Sequence, residues 1–199
     1  MLNLKVAISS IILAGGRATR MDGVDKGLVA FRQKPLILHV IERLKSQVDE
    51  IIINANREIT QYQTLNYPVR QDETADFSGP LAGINLGLKY AKYDYLLTVP
   101  CDSPLIPLNL ASRLMAELIK NDADIAVATC NGELQPVFSL CKRNVAKSLD
   151  DYLSSGGRKV STWQKRQKTI AVDFSDCSEA FVNLNTLADL AALEAKVLP

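Results

Sequence analysis

Three short stretches carry the residue types that chemistry on anions needs. The first is Leu13-Ala14-Gly15-Gly16, followed by Arg20 and Lys26. Paired glycines after an apolar run let the backbone turn tightly, and their amides can point at phosphate oxygens. Arg20 offers a planar fork for phosphate, and Lys26 a compact point charge. The combination favours an anion site over a plain strand-to-helix turn with solvated cations. The second stretch is Pro100-Cys101-Asp102-Ser103-Pro104. A carboxylate that closes a buried strand suits an oxygen ligand for Mg²⁺, which takes one or two carboxylates together with phosphates and water. An aspartate there caps a turn equally well, and the tripeptide alone leaves both readings open. The third is Phe181-Val182-Asn183-Leu184-Asn185-Thr186. Alternation puts Asn183 and Asn185 on one side, where two amides can bind a polar ligand. Alternatively, Asn185 or Thr186 caps the next helix. Weaker signals come from Asn54, Asn56 and Arg57, which suit a base edge or a ribose but also ordinary turn chemistry, and from Asp72. Ser155-Gly156-Gly157-Arg158-Lys159 reads as a cationic turn, either a rim contact to an anion or a solvated loop.

Composition removes several competing classes. The chain has 199 residues with 23 Lys and Arg against 22 Asp and Glu, a formal net charge of +1. That balance argues against a protein built to hold a nucleic-acid backbone. The one histidine, His39, excludes zinc sites that need several imidazoles and weakens any Ser–His–Asp reading. It stands beside Val40 and Ile41 in a helical pattern and is expected to be structural. Cys101, Cys130, Cys141 and Cys177 form no Cys-x-x-Cys pair, so reduced thiols are expected. Neither Gly-x-x-x-x-Gly-Lys-Ser/Thr nor Gly-x-Gly-x-x-Gly occurs, which sets aside P-loop NTPases and dinucleotide-dependent dehydrogenases. The apolar run Ile8 to Ala14 leads straight into Gly-Gly and reads as a buried strand rather than a signal segment. No run reaches the ~18 apolar residues of a membrane span.

The elements that must position these residues follow from periodicity. Val6–Ala14, Glu50–Asn54, Pro68–Gln71, Tyr95–Val99, Asp124–Thr129, Pro136–Cys141 and Thr169–Phe174 read as strands. Between them lie helices from Pro35, at Ile59–Leu65, Pro80–Tyr93, Leu108–Ile119, Asn144–Leu153, Val160–Arg166 and Leu187–Val197. Leu108, Ala111, Leu114, Met115 and Leu118 form the stripe expected for the fourth of these. Gly83 and Gly87, four apart, would let the third pack close to a neighbour. Alternating strands and helices with continuous apolar strands predict one three-layer α/β/α domain over residues 1–199, with a mostly parallel, Rossmann-like sheet. Ligands in such folds sit outside the carboxyl ends of the strands. The loops after Leu13, Gln71 and Cys101 are therefore the candidate site.

Read together and in order, these motifs resemble the nucleotidyltransferase superfamily. They are Leu13-Ala14-Gly15-Gly16, Arg20-Met21, Asp25-Lys26, Pro35-Leu36, Asn54-Ala55-Asn56-Arg57, Gly79-Pro80-Leu81-Ala82-Gly83, Pro100 to Pro104, and Phe181 to Thr186. The Asn-Ala-Asn-Arg and Asn-x-Asn-Thr segments narrow the resemblance to the molybdenum cofactor guanylyltransferases, over nearly the whole chain. Two positions depart from that pattern: Asp22 stands where glycine is usual, and Leu187 where proline is usual. Neither removes a side chain with an assigned role.

The resemblance implies a fold of the nucleotide-diphospho-sugar transferase type. It also implies transfer of GMP from Mg-GTP to Mo-molybdopterin, giving the guanine dinucleotide cofactor and pyrophosphate. Leu13, Ala14, Gly15, Lys26, Asn54, Asp72 and Asp102 would bind GTP, and Asp102 would hold Mg²⁺. Arg20, Gly23, Asn183 and Asn185, with Lys26, would face molybdopterin. Arg20, Lys26 and Asp102 would carry catalysis. The N-terminal half would then serve GTP and the C-terminal half the pterin. The implied setting is a cytoplasmic, monomeric enzyme without nucleic-acid or membrane partners. Other cofactor-biosynthesis proteins and acceptor molybdoenzymes would be its contacts. The competing classes are a cytidylyltransferase for the same cofactor, a sugar-1-phosphate nucleotidyltransferase, and a non-catalytic GTP-binding carrier.

Overall fold

The computed structural model describes residues 6–15, 25–73, 79–182, 184 and 186–196. Its centre is a seven-stranded sheet. In chain order the strands are β1 (Ser9–Leu13), β4 (Glu50–Asn54), β5 (Val69–Arg70), β6 (Tyr95–Pro100), β7 (Ile125–Cys130), β8 (Glu133–Lys142) and β9 (Thr169–Asp173). A separate two-stranded hairpin holds β2 (Ala30–Phe31) and β3 (Lys34–Pro35). The sheet order is β5-β4-β1-β6-β8-β7-β9, parallel except that β8 runs antiparallel to both neighbours. The expected mostly parallel sheet is thus present, with one strand reversed. The reversal is local in origin. Asn131 and Gly132, both at positive φ, make a two-residue turn that can only return the chain antiparallel. This turn also starts β8 at Glu133 rather than at Pro136 as expected.

Alternation along each strand sends residues to two cores, giving the three expected layers. Ile12, Ile51, Ile53, Leu97 and Val99 pack with α1 (Leu36–Leu44) and α4 (Leu110–Lys120) on one face. Ile11, Ile52, Leu96 and Val127 pack with α3 (Pro80–Tyr90), α5 (Ala146–Ser154) and α6 (Val160–Gln164) on the other. Helix α1 buries one stripe, Leu36, Ile37, Val40, Ile41 and Leu44. The stripe read for α4 holds at Ala111, Leu114, Met115 and Leu118 and is corrected at its first position. Leu108 lies before the helix and is 66% exposed, and Leu110 takes its place in the core. Gln47 fixes that start, donating to the Pro107 carbonyl at 2.9 Å and accepting from the Ala111 amide at 3.1 Å.

Gly83 and Gly87 do bring α3 against the sheet. A Cβ on Gly83 would stand 2.5 Å from both Asn54 Oδ1 and Leu13 Cδ2, and one on Gly87 2.8 Å from Leu96. The remaining elements are α2 (Ile59–Gln63), α7 (Leu187–Lys196) and 3-10 segments at Lys26–Leu28, Arg143–Val145 and Ser175–Phe181. Helix α7 packs Leu190 and Leu193 on Phe31 and Leu36, so the C-terminal segment closes over the hairpin. His39 is structural, 2.8 Å from the Phe31 carbonyl and edge-on to its ring. All four cysteines are free. Among the described residues no helix is long and apolar enough to cross a membrane.

Candidate active site

Strand order reverses at β1: β4 and β5 follow on one side, and β6 lies on the other. An open parallel sheet leaves a crevice at such a point, beyond the carboxyl ends of the strands. Backbone hydrogen bonds hold that edge together. The Cys101 amide donates to the Leu13 carbonyl at 3.1 Å, and the Ala14 amide to the Asn54 carbonyl at 2.8 Å. Leu13, Ala14 and Gly15 therefore sit between the ends of β4 and β6.

On the β6 side, Asp102 is nearly buried, 9% exposed. Its Oδ2 lies 3.2 Å from Nζ of Lys26, the first residue of the 3-10 segment Lys26–Leu28. The carboxylate thus meets a cation rather than the adjacent Ser103 hydroxyl, which is fully buried and has no hydrogen-bond partner among the described residues. On the β4 side, three residues form one network. Asp72 accepts from Asn54 Nδ2 at 2.8 Å and from Asn56 Nδ2 at 2.7 Å, and its own amide donates to Asn56 Oδ1 at 2.9 Å. Asn56 Nδ2 also reaches the Gly15 carbonyl at 3.3 Å. Asp72, one of the weaker signals in the sequence, is here the hub that orients both amides.

The C-terminal motif reaches the same edge. The Leu184 amide lies 3.5 Å from the Asp102 carbonyl, and its side chain is buried beside Phe31 and Leu36. The helix-capping role falls to Thr186. Its hydroxyl accepts from the Asp189 amide at 3.0 Å while Asp189 Oδ2 accepts the Thr186 amide at 2.8 Å, a reciprocal cap for α7. Arg20, Gly23, Asn183 and Asn185, and with them Gly16, lie outside the described residues. Arg158, in the cationic turn, donates to the carbonyls of Leu153 and Gly157.

Two buried polar residues beside the site had no assigned role in the sequence. Asp25, 6% exposed, accepts from the Gly27 amide at 3.2 Å and from the hydroxyl of the fully buried Tyr62. Burial pushes the Asp25 carboxyl above the usual carboxylate range, against the lowering effect of those hydrogen bonds. Burial, then the neighbouring Cys101 and Asp25, push the Tyr62 phenol well above its ordinary value. The sequence does place an aspartate directly before Lys26, but only the fold brings Tyr62 to it.

As a donor set the site is one of hard oxygens with the Lys26 cation opposite Asp102. Among the described residues no group of three or more His, Cys, Asp or Glu could hold a metal unaided. A lone carboxylate fits a Mg²⁺ that keeps its waters and takes substrate phosphates, and does not fit a structural metal.

Comparison with known proteins agrees with this layout. Residues 10–170 match the family described as MobA-like NTP transferase domain. A molybdenum cofactor guanylyltransferase from Polynucleobacter asymbioticus is 53% identical over 94% of this chain and 96% of its own length. One from Ralstonia nicotianae is 45% identical over 94% and 95%. Among solved structures, molybdopterin-guanine dinucleotide biosynthesis protein A from Archaeoglobus fulgidus superposes with a TM-score of 0.78 at 20% identity, covering 94% of this chain and 97% of that one. The 4-diphosphocytidyl-2C-methyl-D-erythritol synthase of Anaerococcus prevotii gives 0.76 at 14% identity, covering 96% of each. These structures share the nucleotidyltransferase fold, and the sequence relatives are matched over almost their full length. The chain therefore belongs to the MobA-like NTP transferase family, among its molybdenum cofactor guanylyltransferases.

Proposed function

We propose that this enzyme transfers GMP from GTP to Mo-molybdopterin in the crevice between the carboxyl ends of β1 and β6. A terminal phosphate oxygen of the pterin forms a bond to the α-phosphorus of GTP, and the bond to the β-phosphate oxygen breaks, releasing pyrophosphate. The nucleophile is already ionised at neutral pH, so no general base is required, and a lone structural histidine is no handicap. The protein must hold two anions in line and offset their charge. The observation that carries this reading is the meeting of Lys26 and Asp102, 76 residues apart in sequence, at 3.2 Å on the strand edge.

Leu13, Ala14 and Gly15 would present backbone to the nucleotide, and the Asn54–Asn56–Asp72 network would orient it from the β4 side. Lys26 exchanges its carboxylate partner for phosphate oxygens and lowers the repulsion between the reactants. Asp102 would hold Mg²⁺, which when bound neutralises charge developing on the transferring phosphoryl group. Arg20, Gly23, Asn183 and Asn185 are the proposed contacts to molybdopterin. The approach of Leu184 to Asp102 supports a second substrate entering from the C-terminal side. The reading carries with it a cytoplasmic monomer that hands its product to acceptor molybdoenzymes and works alongside other proteins of cofactor biosynthesis.

The test is pyrophosphate release with Mo-molybdopterin, Mg²⁺ and either GTP or CTP. GTP-dependent release with formation of the guanine dinucleotide is expected. Preferential use of CTP would reassign the base. Binding of GTP without any release would make the protein a carrier.

A further inference from the structure

We propose that Tyr62 is a positioning residue, whose hydroxyl sets the catalytic cation Lys26 by way of Asp25. The inference rests on the reading of Lys26 as catalytic. Lys26 opens a single 3-10 turn, Lys26–Leu28, from which its side chain reaches Asp102. So short a turn has little stability of its own, and something outside it must fix its orientation. Asp25 does so from the position before Lys26. Its backbone is extended, with φ −63° and ψ 124°, and its Oδ1 accepts the Gly27 amide at 3.2 Å. An exposed serine or asparagine would serve as a cap equally well. What stands here instead is an almost fully buried carboxylate, costly to keep unless its hydrogen-bonding capacity is used.

The donor that uses it is Tyr62, fully buried on α2. Its hydroxyl and the Gly27 amide converge on the same carboxylate oxygen. Gly27 fills the remaining space. A Cβ there would meet the Tyr62 hydroxyl at 2.5 Å and Cys101 Cβ and Sγ at 3.4 Å. The turn is thus wedged between α2 and the end of β6, the strand that delivers Asp102. Helix α2 follows the segment that carries Asn54 and Asn56, so one hydroxyl ties the proposed phosphate cation to the elements on both sides of the crevice. Its loss leaves the side chains of Lys26 and Asp102 intact and frees their relative position. In-line transfer is sensitive to that position, since misplacement by about 1 Å costs up to ~100-fold in rate.

The experiment compares single-turnover rates at saturating GTP and pterin for Tyr62→Phe, Lys26→Ala and the double variant, with GTP titrations alongside. Tyr62→Phe should slow turnover about tenfold while GTP affinity stays within about threefold. In the Lys26→Ala background the same change should have almost no further effect, because the residue it positions is gone. Equal fold-losses in the two backgrounds, or a wild-type rate for Tyr62→Phe, would overturn the proposal. A wild-type rate for Lys26→Ala would instead overturn the reading of Lys26 on which it rests. Should Tyr62→Phe fail to fold, Asp25→Asn and Asp25→Ala address the same link. Asn keeps an oxygen for both donors and should retain most of the rate, and Ala should not. Equal rates for those two variants would also overturn it.

Discussion

At the scale of single residues, the strand edge holds its side chains through partners on neighbouring elements. Lys26 rests on Asp102, and Asp72 holds Asn54 and Asn56. Preorganisation of this kind means that the oriented groups need not be gathered when substrate arrives. Asp72 illustrates the consequence. Its carboxylate is engaged by both amides, so removing it leaves Asn54 Nδ2 and Asn56 Nδ2 only their longer contacts to the Arg70 carbonyl at 3.4 Å and the Gly15 carbonyl at 3.3 Å. Asp72→Ala is therefore expected to weaken GTP binding roughly tenfold to a hundredfold, the loss of about 1.5–3 kcal/mol for a hydrogen bond to a charged group. Isothermal titration with GTP reads this directly, and unchanged affinity would remove Asp72 from the nucleotide site.

At the scale of elements, close packing of α3 on β1 and β4 keeps the strand edge in register. Gly83 is the contact point: a methyl group there has no room between Leu13 and the Asn54 amide. Alanine would raise helix propensity by about 1 kcal/mol, but overpacking costs roughly 1–3 kcal/mol. We expect Gly83→Ala to lower the melting temperature and also to weaken GTP binding, because Asn54 is one of the displaced groups. A melting temperature at or above wild type would show that α3 can slide away freely.

Much of this level was readable in the sequence. Continuous apolar strands leading to Asn54 and Asp102, and the four-residue spacing of Gly83 and Gly87, carry their meaning locally. The reversal of β8 was also written locally, in Asn131-Gly132. The β2–β3 hairpin was not, because its turn residues Arg32 and Gln33 both take positive φ without being glycine or asparagine. The Arg32 amide donates to Glu194 Oε1 at 2.9 Å, so this turn is tied to the distant α7. Partnerships across the fold, such as Lys26 with Asp102 and Tyr62 with Asp25, leave no trace in local spacing. They arise only when the crossovers bring the carboxyl ends of β1, β4 and β6 together.

At the scale of the whole molecule, one sheet spans both halves of the chain and its switch point gathers the site. The N-terminal half brings Lys26, Asn54, Asn56 and Asp72 to the strand edge. The C-terminal segment returns across the hairpin through Leu184 and α7 to the Asp102 turn. If the halves divide the substrates in this way, Asn183→Ala and Asn185→Ala should each weaken molybdopterin binding about tenfold to a hundredfold. GTP affinity should remain nearly unchanged, as paired titrations would show. Loss of GTP binding instead would end the division while leaving guanylyl transfer intact.

The most direct test of transfer at the β1–β6 crevice is the single-turnover rate of Asp102→Asn with saturating GTP, Mo-molybdopterin and Mg²⁺. The substitution keeps the shape and removes the charge that faces Lys26. Loss of a charge-stabilising interaction worth several kcal/mol predicts a rate loss of about a thousandfold or more, with the thermal unfolding curve close to wild type. Pyrophosphate release at the wild-type rate would contradict the placement of the chemistry at Asp102.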